Sequence, residues 1–285
     1  KMMGLWNASI PLGTAIGVFL GGIIATHLGW KYAFGLVAFP GLIVAILFFF
    51  VKDYKTVDLS FFDKRNNKVK MERKDIFREF LSRYSIIYTY FGITASIFVT
   101  TSLLTWLPTY FQISRDLAQD KAGSMASSIM ALALVGAPLG GIVADKWRRT
   151  NINARLLLPA LSTLVSAVLL FLGLFLFRGI VQYITFLVMG VTIMMFISGA
   201  ASVTQDVIHP GLRATSYSIA VVVQNLLGAS MAPIVIGFIY DHSDIKTALS
   251  ILPFVLVLSS LLFYLGSKYY ARDIENVTKV QLEVQ

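Results

Sequence analysis

The sequence predicts an all-α membrane protein, a polytopic helix bundle, on three observations. The chain of 285 residues is 56% hydrophobic and only 14% charged, whereas a soluble domain carries roughly a quarter charged residues. Its apolar residues gather into eight runs long enough to cross a bilayer as helices, a crossing that needs about 20 residues. The charge is concentrated as well. Lys52–Arg83 holds ten basic and six acidic residues, 16 of the chain's 39 charges, and separates two apolar runs from six. A water-soluble island between two blocks of hydrocarbon-compatible helices must lie in solvent on one membrane face.

In order, the expected spans are Asn7–Ala25, Ala33–Val51, Ser85–Leu107, Ala122–Ala144, Leu156–Phe177, Ile180–Thr204, Ser216–Tyr240 and Thr247–Ser267. Short junctions rich in turn residues or charges join them. Under strict alternation, the island shares its face with Lys1, Lys146, Arg148, Arg149, Arg155, Arg213, Lys268, Arg272 and Lys279. That makes 19 Lys and Arg on one side; the other keeps five: Lys31, Arg115, Lys121, Arg178 and Lys246. Basic loops stay on the cytoplasmic side, so the island and the C-terminal tail are predicted to be cytoplasmic. The net charge of +9 is read as this orientation signal, which also meets anionic headgroups, and not as a nucleic-acid surface. The first span follows the start of the chain almost at once and no cleavable signal peptide is visible, so the chain reads as a fragment of a longer protein. There are no cysteines, which excludes disulfides and thiolate metal sites.

Small residues mark places where helices can approach closely. Gly13, Gly17 and Gly21 recur at four-residue spacing in the first span, and Gly136 and Gly140 repeat the device in the fourth, with Pro138 between. Pro108 and Pro233 are candidate bend points, since proline frees a backbone carbonyl. Polar stripes mark candidate cavity residues. The third span aligns Tyr90, Thr94, Thr101 and Thr105, with Trp106 following; the sixth aligns Thr185, Met189 and Thr192; the seventh places Tyr217 and Gln224 on one face, with Asn225 adjacent. Any single Thr or Ser in such a helix can simply bond its own backbone. Gln224 and Asn225 differ, because a primary amide facing lipid needs a partner. Embedded carboxylates, the usual marks of ion coupling, are absent from these spans.

Three short segments resemble the major facilitator superfamily. Gly141-Ile-Val-Ala-Asp145-Lys146-Trp-Arg148-Arg149 is similar to its loop signature, with Arg148 where the family usually has Gly. His209-Pro210-Gly-Leu-Arg213-Ala-Thr is similar to the loop before its eleventh helix. Thr105-Trp106-Leu-Pro108-Thr-Tyr110 looks like the end of the seventh helix in organic-anion and spinster-type members. Two helices, a long loop and six helices match helices five to twelve of that fold, so eight of an expected twelve are present. The resemblance implies that residues 1–51 are the last two helices of an N-terminal half, 52–84 a central loop, 85–270 a six-helix C-terminal half and 271–285 a tail. It implies alternating access around a central site, with Gly141, Asp145, Lys146, Arg149 and Arg213 forming a conformational latch at the cytoplasmic face. The plainer reading of Asp145–Arg149 is a positive-inside loop with a capping Asp.

The expected function is therefore secondary active transport of a small organic solute, coupled to a proton or sodium ion, by a monomer in the bacterial inner (plasma) membrane. The alternatives are a spinster-type lysolipid transporter and a non-transporting receptor or scaffold. An enzyme is disfavoured, because the three histidines, His27, His209 and His242, fall on separate loops. No cofactor, metal or nucleic-acid partner is expected; the partners are the solute, the coupling ion and the lipid bilayer. Eight helices cannot form two matched halves, so this chain by itself is predicted not to transport.

Overall fold

The structure, a computed structural model, describes residues 13, 17, 24, 29–51, 60–62, 68–70 and 73–277. It divides into two compact units, Trp6–Val57 and Lys1–Leu5 with Asp58–Gln285. In the first, Gly29 (φ 95°) opens helix α1, Trp30–Phe48. Phe39, Leu47 and Phe48 are more than half exposed, as expected of an apolar helix that meets lipid. Gly13 and Gly17 are helical, and Gly21 lies outside the described residues.

The second unit opens inside the charged island, where the sequence predicted only a solvated loop. Two short strands, β1 (Ser60–Phe62) and β2 (Lys68–Lys70), pair antiparallel with Phe61 opposite Val69. Helix α2 (Arg73–Ser82) follows. Its Ile76 and Phe80, one helical turn apart, share a face and lie against the bundle core.

The six spans expected after the island are six helical stretches long and apolar enough to cross a membrane, which makes this an integral membrane protein. They are α3 (Tyr84–Arg115), α4 (Gln119–Arg148), α5 (Ala154–Phe175), the pair α6 (Gly179–Thr192) and α7 (Phe196–Asp206), the pair α8 (Arg213–Val223) and α9 (Met231–His242), and the pair α10 (Ile245–Ser250) and α11 (Leu252–Glu275). Two interruptions were not legible in the hydropathy. Tight turns at Ile193–Met195 separate α6 from α7, with the Met195 amide donating to Thr192 O at 3.2 Å. Between α8 and α9, Gln224–Ala229 winds as π-helix. Short π segments inside α-helices are frequent at functional sites.

Helix α11 packs between α3 and α5. One core cluster joins Leu103, Phe111, Ile129, Phe186, Met189 and Leu256; a second joins Ile86, Leu156, Phe196, Phe263 and Tyr270. Lipid tails are as apolar as leucine, so close packing and interhelical hydrogen bonds must hold such a bundle. Ser259 Oγ donates to Gly92 O at 2.8 Å and lies 2.7 Å from Ser96 Oγ, and Ser260 Oγ donates to Ala160 O at 2.7 Å, stitching α11 to α3 and α5. The closest approach is between α4 and α6–α7. A Cβ added at Gly136 would overlap the Val191 carbonyl, and one at Gly140 the Met195 carbonyl beside the helix break.

Gly140→Ala is therefore expected to lower the thermal stability of the purified chain by about 1–3 kcal/mol, the usual cost of overpacking. Gly123→Ala in the same helix, where an added Cβ meets open space, should leave the melting temperature unchanged or slightly raised.

Candidate functional site

Alternation of the helices brings the N-termini of α3, α5 and α8 to one end of the bundle with the C-termini of α4, α7 and α11. Arg155, in the first turn of α5, stands there between two carboxylates. Its Nη1 donates to Asp206 Oδ2 of α7, and its Nη2 to Asp145 Oδ1 of α4 at 3.4 Å. The Tyr270 hydroxyl of α11 donates to the same Asp206 oxygen at 2.7 Å. The Arg155 side chain is 16% exposed, so its attraction to the carboxylates is less screened than in a surface bridge, while breaking the pair would leave a poorly solvated charge. Beside it a cavity of about 170 Å³ is lined by Arg155, Ser202, Gln205, Asp206 and Arg213. One cation thus ties three helices, and a fourth joins through Tyr270.

Of the predicted latch residues, Asp145 and Arg213 border this cluster. Lys146 and Arg149 are exposed and make no ion pair with a described residue. Gly141 is buried within α4. Arg155, Asp206 and Tyr270 were not singled out for the latch, because nothing in the sequence relates residues 51 and 64 positions apart. The signal within reach was their shared place at helix ends on the predicted basic face.

The connector from α7 to α8 adds a titratable group. His209 is 1% exposed. Its Nδ1 accepts from the Gly211 amide at 3.2 Å, and its Nε2 is buried without a partner. Burial pushes the imidazole below its ordinary pKa; the nearby Glu79 carboxylate opposes that shift and Arg213 adds to it. The neutral ring is therefore the folded form.

The predicted cavity residues separate into two sets. Most satisfy their polar atoms locally or within the packing. Thr94 donates to Tyr90 O at 2.8 Å, Thr105 to Thr101 O at 3.0 Å, Thr185 to Val181 O at 2.8 Å and Asn225 Nδ2 to Val221 O at 2.7 Å. Thr192 pairs with Ser166 at 2.7 Å, and Tyr90 donates to Ser216 O at 2.9 Å near the basic end. Met189 is fully buried in the core, and Tyr217 is half-buried on α8. Three members of the list are different. The half-buried Thr101 hydroxyl makes no hydrogen bond with a described residue. The half-buried Gln224 amide makes no hydrogen bond with a described residue, and Trp106 Nε1 is buried without a partner.

Gln224 and Trp106 lie where the π segment and α9 pack on α3. A Cβ at Gly228 would meet Thr94 O at 2.8 Å, and one at Gly237 would meet the Trp106 ring at 3.1 Å, which itself lies edge-on to Tyr240. Gln224 is the fifteenth residue of the 33-residue apolar stretch Pro210–His242, so it stands near the middle of that stretch and, in a bilayer, close to mid-depth.

At the opposite end, Asp241, His242 and Asp244 do not gather. Asp244 caps α10, accepting from the Lys246 and Thr247 amides at 2.8 and 2.9 Å, while His242 Nδ1 lies 2.8 Å from Phe238 O. Among the described residues no group of three or more His, Asp or Glu could hold a metal ion.

Comparison with known proteins places this arrangement. A family model described as the Major Facilitator Superfamily matches residues 1–233. The chain is 26% identical to protein spinster homolog 3 of Danio rerio over 95% of this chain and 60% of that protein. It is 27% identical to protein spinster homolog 1 of Homo sapiens, over 85% of this chain and 49% of that one. With the hexuronate transporter of Bacillus subtilis it shares 25% identity over 85% of this chain and 59% of the other. The chain thus spans about half the length of the curated relatives it matches. In fold it is similar to the inward-facing, unoccupied crystal structure of a bacterial homolog to the human lysosomal transporter Spinster. The TM-score is 0.62 at 16% identity, over 92% of this chain and 66% of that one.

Two outcomes follow from the cluster. Asp206→Asn should cost about 1–3 kcal/mol of stability, read as a lower melting temperature, and more than Tyr270→Phe, which removes one hydrogen bond. For His209, the unfolded chain takes up the proton first as pH falls through its ordinary pKa. The stability that the neutral ring contributes is then present above that pH and lost below it. The melting temperature of the wild type should fall between pH 7.5 and 5.5 more steeply than that of His209→Asn, which keeps an acceptor for the Gly211 amide but does not titrate.

Proposed function

The chain belongs to the Major Facilitator Superfamily, whose members here are transporters rather than enzymes, and on that premise we propose that it acts in secondary transport of a small organic solute. The observation that carries the reading is the Gln224 amide. It has no partner among the described residues, stands near mid-depth, and is presented by a π segment. A primary amide in hydrocarbon is costly unless water or a ligand bonds it. Transporter sites lie near the bilayer midplane where helices depart from regular winding. Thr101 and Thr105, half-buried and exposed on α3, extend the polar strip toward Trp106.

Charge narrows the solute. The acidic side chains of α3–α11 are Asp116, Asp120, Asp145, Asp206, Asp241, Asp244, Asp273 and Glu275, all at or beside helix ends, and no Lys or Arg lies between the ends either. An organic anion would want a cation at mid-depth, so these helices suit a neutral or amphiphilic solute. A lysolipid is the second reading, supported by the similarity to spinster homologues and by the apolar Leu226, Leu227 and Met231 around the amide. Coupling to a proton or sodium ion would draw on groups other than a mid-depth carboxylate of these helices. In the proposed orientation, in a plasma membrane, the basic end faces the cytoplasm.

A thermal-shift panel of the protein in detergent, spanning sugars, amino acids, organic acids, cationic drugs and lysolipids, tests this reading. A ligand of the folded state raises the melting temperature. Gln224→Ala should weaken that ligand about three- to tenfold, the worth of one hydrogen bond, with the melting temperature of the free protein little changed. Wild-type affinity in Gln224→Ala would remove the amide from the site. No shift from any class would favour a scaffold.

A further inference from the structure

The exposed face of α11 changes character in an ordered way along its length. Phe254, Val257, Leu258 and Leu261 are 67%, 47%, 51% and 51% exposed and form one stripe, which in a bilayer faces lipid tails. One turn on comes Tyr264, 48% exposed, and the next two turns bring Lys268 and Arg272, both exposed. From Leu261 to Lys268 is about 10 Å of rise. The stripe thus passes from hydrocarbon to aromatic to cation over the depth in which a bilayer passes from tails to headgroups.

The cations are not simply solvated. Lys268 Nζ lies 5.0 Å from the Tyr264 ring centroid, which holds the ammonium back along the stripe. Neither Lys268 nor Arg272 makes an ion pair with a described residue, and two of the nearby acids are engaged elsewhere. Asp273, 4% exposed, turns inward and accepts from Ser85 N at 3.0 Å and Ser85 Oγ at 2.5 Å. Glu79 is bridged to Arg83 at 3.1 Å, and Arg83 also donates to Asp273 O and Asn276 O at 3.3 and 2.8 Å. This inward clasp fixes the end of α11 to the corner between α2 and α3. Among the described residues Glu275 is an exposed acid near the stripe, beyond Arg272 toward the helix end.

Across from the stripe, the corner supplies an aromatic wall. Tyr269 stacks on Tyr88 at 5.9 Å and 15°, and tilts against Tyr84 at 5.4 Å. Tyr84 and Leu81 are both about half exposed beside it. The buried brace and the aromatic cluster thus hold in place two cations that have no ion pair among the described residues, at the end of an apolar exposed stripe.

We infer that this face of α11, beside the start of α3, binds an anionic phospholipid by its headgroup. Lys268 and Arg272 take the phosphate charge, Tyr264 meets the glycerol level, and the acyl chains lie along Leu261, Leu258 and Val257. Charge complementarity and the order of the stripe select a lipid over a soluble anion, which would gain nothing from the apolar half. The inference is independent of which solute the protein carries.

The test is native mass spectrometry of the purified chain in neutral detergent, titrated with phosphatidylglycerol or phosphatidylcholine of identical acyl chains. Phosphatidylglycerol should bind at least about tenfold more tightly, since each cation near an anionic headgroup contributes several-fold. The combination of Lys268→Ala and Arg272→Ala should erase that preference while leaving phosphatidylcholine unchanged. The charge-preserving exchange of Lys268→Arg and Arg272→Lys should retain it. Lys121→Ala with Lys246→Ala, the same charge removed at the opposite end, should retain it too. Circular dichroism of each variant verifies the fold, and should the double variant unfold, Lys268→Gln alone serves, with a loss of several-fold. Equal binding of the two lipids, or equal loss in the opposite-end variant, would overturn the site. So would tight binding of soluble glycerophosphoglycerol, which would make it a free phosphodiester site.

Discussion

Hydrocarbon supplies no hydrogen bonds, and almost every polar feature of this protein is arranged around that fact. An unpaired donor or acceptor in a bilayer core costs several kcal/mol. Most threonine and serine hydroxyls along α3, α6 and α7 therefore return to carbonyls of their own helices or bridge to a neighbour, as Ser259 does between α11 and α3. Charges are expelled to the ends, where Arg155 is shared by Asp145 and Asp206 and where Arg83 is spread over two carbonyls and Glu79. Against so thorough a settlement, the partnerless Gln224 amide stands out because its neighbours show how readily the fold satisfies such groups.

The same constraint explains why backbones approach so closely. Burying a leucine against another helix gains little when the alternative is a lipid tail, so stability depends on dispersion and on weak polar contacts at short range. Gly136 and Gly140 place α4 directly against the carbonyls of Val191 and Met195. The break at Ile193–Met195 falls within that contact. Freed carbonyls there are shielded by the neighbouring helix instead of facing lipid, which is the condition under which irregular backbone is tolerated at membrane depth. The π segment opposite Thr94 meets the same requirement through Gly228, whose missing side chain lets α3 lie against it.

The proposed function joins these observations to transport. A transporter must rearrange, and ion pairs at helix ends can be exchanged at moderate cost, unlike a packed core. Arg155 and its two carboxylates sit at the mouths of α4, α5 and α7, whereas Phe186, Met189 and Leu256 lock the interior. Rigid helices with adjustable ends suit motion of a half-bundle as a body.

Hydropathy and charge counting determined the spans after the island and the alternation of helix ends, because length, apolarity and basic excess are properties of consecutive residues, while the resemblance of three short motifs pointed to the family. They also brought Gln224 to notice, since an amide in an apolar run is conspicuous by residue type alone. The sequence could not foresee that Thr185 and Met189 would turn into the packing, because a stripe at helical spacing reads the same whether it faces a neighbour or a cavity. Nor could it couple Asp145 to Arg155 in preference to the adjacent Lys146 and Arg149. Contacts between residues distant in the chain depend on how the helices cross, and crossing is set by close packing at glycines such as Gly136 and Gly140. The tertiary structure alone decided which polar groups found partners and which among the described residues, Gln224 on its π turn and Trp106 on α3 included, did not.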